Sequence, residues 1–174
     1  EYVKKLIAHG INKDIKSNFW HREAVLPGHN FRMPNHLAAM GYVQLKKITK
    51  FNKARNNIAN LYNSELSKIN NKIKIPFIPK GFTHSYQMYT ITVEAKIRNK
   101  LLNFLKKNSI GASAHFDPPL HLQKYLKKYN NKKLTETEKL SKQILTLPIF
   151  PDMTRKEAIY VTQTINKSYK NNNL

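Results

Sequence analysis

The feature that most constrains the fold is an unbroken helical pattern that runs from Pro34 to about Ile69. Apolar and small side chains recur every three or four positions along it, from Leu37 and Met40 through to Leu66. At 1.5 Å per residue such a helix is roughly 50 Å long, which is too long for one compact domain to bury. We therefore expect a connecting helix that lies between domains or across a dimer interface.

Alternating strand and helix patterns follow this helix. The segment from His84 to Val93 alternates and is rich in aromatic and β-branched residues, which is typical of a strand. A second strand is ended by Pro118 and Pro119, because neither proline can donate to a ladder. The order of elements predicts a small α/β sandwich of about three mainly antiparallel strands with helices on one face. The predicted strands are 84–93, 110–116 and 144–149, and the predicted helices are 95–108, 120–129, 135–143 and 154–169.

In two of these helices the sequence predicts the roles of particular residues. Thr135 and Glu138 have the spacing of a capping box, which predicts the start of the helix 135–143. The helix 95–108 is amphipathic, and its pattern turns one set of apolar side chains towards the core. That set is Ile97, Leu101, Leu102, Phe104 and Leu105.

The chain is strongly basic, with 31 Lys and Arg against 10 Asp and Glu and a net charge of +21. Such a balance suggests phosphate-bearing partners. The lysines are nevertheless dispersed along the whole chain, and no aromatic motif is interleaved with them, so we expect a solvated lysine surface and no nucleic-acid partner. A basic nucleic-acid-binding module is the alternative, and a purely structural dimerisation fragment is a third reading. Arginine, the preferred reader of bases and phosphates, occurs only at Arg22, Arg32, Arg55, Arg98 and Arg155.

Other absences narrow the class of protein. The sequence has no cysteine, which excludes disulfides and thiolate metal sites. No apolar run approaches about 18 residues and no signal peptide is visible, so we expect no membrane span and a cytoplasmic location. The pattern at Glu1 already resembles a helix in progress, and we therefore expect a piece of a longer protein.

The first candidate site is the turn before the long helix, from Gly28 to Pro34. Asn30 and Arg32 project from this turn just ahead of a helix N-terminus, where an amide and a guanidinium suit an anion such as a phosphate. The alternative is that Asn30 serves the turn itself and that Arg32 pairs with a surface carboxylate.

The second candidate site surrounds the two prolines between residues 112 and 121. His115 and His121 lie on either side of this rigid turn, and their ring nitrogens could bind a phosphate or carboxylate of a substrate. A zinc pair is an alternative, but no third ligand has suitable spacing, so no metal is expected. A purely structural pair of histidines is the other alternative.

These segments together resemble the C-terminal part of the DegT/StrS-type sugar aminotransferases, which belong to the fold-type I aspartate aminotransferase superfamily. The resemblance covers nearly the whole chain, and its most specific block combines the turn, the arginine and the start of the helix. The matching stretches are GHNFRMPNHLAAMGYVQLKKI (28–48), HSYQMYTI (84–91), GASAHFDPPLHLQKY (111–125) and ILTLPIFPDMT (144–154).

The resemblance implies pyridoxal 5′-phosphate (PLP) as cofactor, held as a Schiff base on a lysine of a large domain that precedes the matched part. No lysine of this chain has the family's Schiff-base context, so no catalytic residue is assigned here. Residues 1–33 would be the tail end of the large PLP-binding domain, 34–69 the connecting helix, and 70–174 the small C-terminal domain.

The resemblance also assigns candidate binding residues. Asn30 matches the asparagine that reaches across the dimer interface to the PLP phosphate of the other subunit, and Arg32 matches the arginine two positions later. His115 and Phe116 match positions that line the substrate pocket, although the family commonly has two tyrosines there. His121 matches the histidine of the family's Pro-Leu-His, so all three would contact the sugar or its nucleotide diphosphate.

The activity implied is the transfer of an amino group from an amino acid, commonly glutamate, to a nucleotide-linked keto-sugar by a homodimer. The products of such enzymes enter polysaccharide and related pathways. Some family members are PLP-dependent sugar dehydratases, and this remains an alternative. The fragment alone is expected to be inactive because it lacks the Schiff-base lysine.

Overall fold

The computed structural model describes residues 1–12, 23–69, 72–129 and 132–170. The chain divides into two compact units, Glu1–Lys47 and Ile48–Leu174. Its helices are α1 (Tyr2–Leu6), α2 (Asn35–Leu66), α3 (Ala95–Lys107), α4 (Thr135–Ser141) and α5 (Arg155–Lys170), and its strands are β1 (Tyr89–Thr92) and β2 (Ile144–Leu147).

The first unit is organised by the end of α1 and the loop that precedes α2. The His29 and Phe31 N–H groups donate to the carbonyls of Leu6 and Ile7, at 2.7 and 3.0 Å, and so cap the last turn of α1. Gly28 passes so close to this turn that a Cβ on it would lie 2.0 Å from the Gly10 nitrogen. Only glycine fits at residue 28 without movement of the backbone.

Helix α2 confirms the predicted long helix, although it ends at Leu66 rather than at about Ile69. Every residue from 31 to 50 is exposed, and burial begins in the C-terminal half of the helix. The boundary between the two units falls within α2, after Lys47. The buried residues of the helix are Ile58, Ala59, Tyr62 and Leu66.

The sheet of the second unit has two antiparallel strands in the described residues, with Tyr89 opposite Leu147 and Thr92 opposite Ile144. The prediction of antiparallel strands is confirmed, but the predicted third strand, 110–116, is wrong. It is reduced to one bridge between Ser113 and Thr146. A tight turn bends the backbone at its start, where the Ala112 N–H donates to the Ile110 carbonyl at 2.8 Å.

One face of the sheet carries the hydrophobic core. Tyr89, Ile91, Leu145 and Leu147 are almost completely buried there, because alternate residues of a strand point to the same side. The Tyr62 hydroxyl of α2 donates to the Pro148 carbonyl at 2.8 Å and so ties the long helix to the end of β2. Burial raises the pKa of both tyrosine hydroxyls, Tyr62 and Tyr89, well above their ordinary value of 10.0.

The helix predicted at 120–129 is only partly right. The segment forms two short 3-10 turns, Leu120–Leu122 and Lys124–Tyr129, instead of an α-helix. The break falls at Gln123, whose side-chain amide donates to the Pro118 carbonyl at 2.8 Å. The backbone of Gln123 is extended, with φ −65° and ψ 135°, so the two turns do not continue as one helix.

Candidate functional site

Asn30 and Arg32 lie on the loop that is anchored to α1. Asn30 pairs with Ala8 in an isolated antiparallel bridge, so the backbone is extended at this point. The rings of His29 and Phe31 stack at 4.7 Å on one side of the loop. Because side chains alternate along an extended backbone, Asn30 and Arg32 project from the other side. Both residues are exposed, and their role towards a ligand stays a prediction.

Arg32 lines a cleft of about 380 Å³ within the first unit. Lys4 and Lys5 line the same cleft, and Glu1 is its acidic member. Glu1 forms a surface ion pair with Lys4 at 3.2 Å. Three cations against one carboxylate make the cleft positive, which suits an anionic group such as a phosphate.

His115 lies on the polar face of the sheet, within the second unit. Its Nδ1 is 3.0 Å from the buried Thr146 hydroxyl and 3.2 Å from the Ser113 hydroxyl. The Thr146 hydroxyl in turn lies 3.0 Å from that of Thr90 on the neighbouring strand. These hydroxyls fix the orientation of the imidazole and leave Nε2 as the ring nitrogen available to a ligand.

Phe116 follows His115 at a turn and is 64% exposed. Its φ of +58° places it in the left-handed region, which is uncommon for a phenylalanine. The next residue, Asp117, accepts a hydrogen bond and ion pair from the Arg98 guanidinium of α3. The turn 115–117 therefore presents an imidazole and an aromatic ring beside each other, with a fixed carboxylate behind them.

His121 is half-buried and pairs with a carboxylate. Its Nε2 lies 3.3 Å from Glu138 Oε1, and the same oxygen accepts the Leu134 N–H at 3.1 Å. These hydrogen bonds, that of His121 first, hold the pKa of Glu138 below its ordinary value. The predicted capping box of Thr135 and Glu138 is wrong, because Leu134 is the N-cap and Glu138 is engaged by His121 and the cap backbone.

Three residues of this region were missed by the sequence analysis: Arg98, Thr146 and Glu138 as a partner of His121. Arg98 gave a signal, because it lies at helical spacing from Leu101 and Leu105 on the inward stripe of α3. Thr146 and Glu138 gave none, since their roles depend on partners 31 and 17 residues away.

The described part of the chain offers neither a metal site nor a membrane-spanning helix. No group of three or more His, Asp or Glu side chains there could hold a metal ion. Within the same residues, no helix combines the length and apolarity needed to cross a membrane.

The sequence pattern of the DegT/DnrJ/EryC1/StrS aminotransferase family matches residues 1–166. An uncharacterized protein of Methanocaldococcus jannaschii, MJ1066, is 32% identical over 99% of this chain and 47% of its own length. The UDP-4-amino-4,6-dideoxy-N-acetyl-β-L-altrosamine transaminase of Campylobacter jejuni is 29% identical over 94% of this chain and 43% of its own length. The chain thus spans about half the length of these relatives.

Solved structures agree with the sequence match. The aminotransferase TlmJ of Streptoalloteichus hindustanus superposes with a TM-score of 0.85 at 23% identity, over 98% of this chain and 44% of its own. NtdA of Bacillus subtilis, solved with the bound cofactor PMP, superposes with a TM-score of 0.79 at 23% identity. The match covers 95% of this chain and 38% of NtdA. At this level of identity the likeness establishes a shared fold, that of the C-terminal part of these enzymes.

Proposed function

Since the chain belongs to the DegT/DnrJ/EryC1/StrS aminotransferase family, we propose that it is the C-terminal part of a PLP-dependent sugar aminotransferase. The whole enzyme transfers an amino group from an amino acid, glutamate, to a nucleotide-linked keto-sugar. PLP supplies the electron sink for this chemistry, and the protein supplies binding and orientation.

Asn30 and Arg32 bind the PLP phosphate in this proposal. The exposed amide and guanidinium share one side of a loop that is fixed by backbone hydrogen bonds, and Lys4 and Lys5 make the adjoining cleft positive. These donors fit a dianionic phosphate, which prefers several N–H groups held in place. The phosphate belongs to the cofactor of a second subunit, so the active enzyme is a homodimer.

His115, Phe116 and His121 bind the nucleotide sugar. Phe116 offers an exposed ring for stacking, and His115 offers Nε2 for a hydrogen bond to a sugar hydroxyl or a phosphate oxygen. His121 contacts the same substrate through its second ring nitrogen, Nδ1, because Glu138 engages Nε2. Glu138 thereby holds the His121 ring in one orientation.

The observation that carries the proposal is the family match over residues 1–166 together with the exposed, backbone-anchored Asn30. The test uses the full-length enzyme loaded with PLP. Adding glutamate alone is expected to convert the visible absorbance of the bound cofactor, and adding a nucleotide-linked keto-sugar is expected to restore it. An absorbance spectrum that glutamate leaves unchanged contradicts transamination.

A further inference from the structure

One buried ion pair ties the turn that carries His115 and Phe116 to helix α3. The guanidinium of Arg98 donates to the carboxylate of Asp117, the residue that follows Phe116. The Arg98 side chain is only 6% exposed, whereas that of Asp117 is 35% exposed. The pair therefore joins the interior of the second unit to the surface turn.

The position of Arg98 on α3 does not favour the stability of the fold. It lies three residues before Leu101 and seven before Leu105, both completely buried, so it occupies the apolar stripe of the helix. Its Nε is buried and has no hydrogen-bond partner among the described residues. Burying a guanidinium is costly, and an apolar side chain of similar volume often gives equal or greater stability. Packing alone does not account for an arginine here.

The turn 115–117 is held at both of its ends by polar groups, and Arg98 contributes to one of them. At one end, His115 is held by the Thr146 hydroxyl. At the other end, Asp117 is followed by Pro118 and Pro119, which have no N–H group to anchor the backbone. Two polar groups therefore fix this end: the Pro118 carbonyl, which accepts the Gln123 side-chain amide, and the Asp117 carboxylate, whose partner is Arg98.

We propose that Arg98 is a positioning residue that holds the turn 115–117 through Asp117 and thereby sets the affinity for the nucleotide-sugar substrate. The inference rests on the proposed function, because it takes His115 and Phe116 as substrate contacts. Arg98 itself touches no substrate, since its side chain is buried behind the turn. Its loss moves the two contact residues without removing them.

The test compares two amino donors that react with the same PLP-loaded, full-length enzyme. One is glutamate, and the other is the UDP-linked amino sugar named for the Campylobacter jejuni relative. Both reactions convert the cofactor absorbance, so one assay gives KM and kcat for each. Arg98→Met removes the ion pair, Arg98→Lys keeps a cation, and Asp117→Asn removes the negative charge but keeps an oxygen that can accept from Arg98.

Arg98→Met and Asp117→Asn are expected to raise KM for the amino sugar about tenfold, because small displacements of contact residues weaken binding without removing the chemistry. We expect kcat for the sugar, and both constants for glutamate, to stay within about threefold. Arg98→Lys recovers part of the loss. The matched control is Lys96→Met on the same helix, which removes a surface ion pair with Glu94 and leaves all constants unchanged.

The possible results separate the inference from the proposed function. If the unaltered enzyme reacts with neither donor, the proposed function is wrong and the inference falls with it. If it reacts with both, and the Asp117→Asn enzyme keeps the KM of the unaltered enzyme, the inference alone is wrong. Equal losses with both donors, in parallel with lowered thermal stability, would show that Arg98 is merely structural.

Discussion

At the scale of single residues, two candidate binding residues, Asn30 and His115, are held in place by hydrogen bonds within the protein. Asn30 stands in a bridge with Ala8, and His115 is held by two hydroxyls. A side chain that is positioned before the ligand arrives loses less conformational entropy when it binds. Substitutions at these positions should therefore change binding more than they change the fold.

Asn30→Ala in the full-length enzyme is expected to weaken PLP binding about tenfold, because one hydrogen bond to a charged phosphate is lost. The fold should be unaffected, since the Asn30 side chain is exposed. Fluorescence titration of the unloaded enzyme with PLP measures the dissociation constant. Asn103→Ala, at an exposed position of α3, is the matched control. An unchanged dissociation constant would contradict the role given to Asn30.

Thr154 and Glu157 form a reciprocal cap at the start of α5, so Thr154→Ala should destabilise the helix by about 1 kcal/mol. The Glu157 carboxylate accepts the Thr154 N–H and hydroxyl, both at 2.7 Å, and the Glu157 N–H donates to the Thr154 hydroxyl oxygen at 3.2 Å. Hydrogen exchange of the α5 amides in the full-length protein measures the change.

The same cap predicts a dependence on pH. The hydrogen bonds from Thr154 lower the pKa of Glu157 below its ordinary value of 4.5 in the folded protein. The carboxylate therefore stabilises the fold above pH 4.5, and this contribution is lost as the pH falls through the lowered pKa. The difference between unaltered and Thr154→Ala proteins should shrink in acid. A difference that stays the same as the pH falls would show that the carboxylate has no part in the cap.

At the scale of elements, the loop before α2 depends on a close approach of two backbones. Gly28 lies against Gly10, and a Cβ there would come within 2.0 Å of the Gly10 nitrogen. The same contact allows the His29 N–H to reach the Leu6 carbonyl at 2.7 Å. The loop that carries Asn30 is thus positioned by the absence of a side chain two residues earlier.

Gly28→Ala is expected to separate the loop from α1. The backbone would have to move by about 1 Å to make room for the Cβ, and this movement would break the hydrogen bonds from the His29 and Phe31 N–H groups. The amide protons of His29 and Phe31 should lose their protection from hydrogen exchange, and PLP affinity should fall as in Asn30→Ala. Gly111→Ala is the control, since a Cβ there meets no described atom within 4 Å. Retained protection of both amides would refute this account of the loop.

At the scale of the whole molecule, the N-terminal half of α2 leaves a row of large apolar side chains in contact with solvent. Met40 is 64% exposed and Leu45 is 67% exposed. Exposed apolar surface of this extent marks an interaction site. The length of the helix predicted a position between domains or across a dimer interface, and the proposed homodimer would cover this surface.

Leu45→Glu should therefore shift the full-length enzyme towards monomers, because a carboxylate would be buried without a partner at the interface. PLP affinity should fall with dimer content, since Asn30 binds the cofactor of the other subunit in the proposal. Analytical ultracentrifugation measures the assembly state. Gln44→Glu introduces the same charge one position away and is the control. A Leu45→Glu enzyme that remains fully dimeric would exclude this surface from the interface.

Several features could be predicted from the sequence because they depend on neighbours along the chain. The spacing of apolar residues gave α2 to within three residues of its observed end at Leu66. The alternation of β-branched and aromatic residues located β1 within the stretch 84–93, although the strand itself is shorter. The family pattern identified Asn30 and His115 as candidate site residues, and their roles stay predictions.

The sequence by itself determined α2, α3, α4 and α5, the two antiparallel strands and the family, since local periodicity and motif order fix these. Only the tertiary structure decided which polar groups meet. Arg98 contacts Asp117 across 19 residues, and His121 meets Glu138 across 17. It also decided that 110–116 contributes one bridge and not a strand. The physical reason is that such pairings depend on the packing of distant elements, which no local pattern encodes.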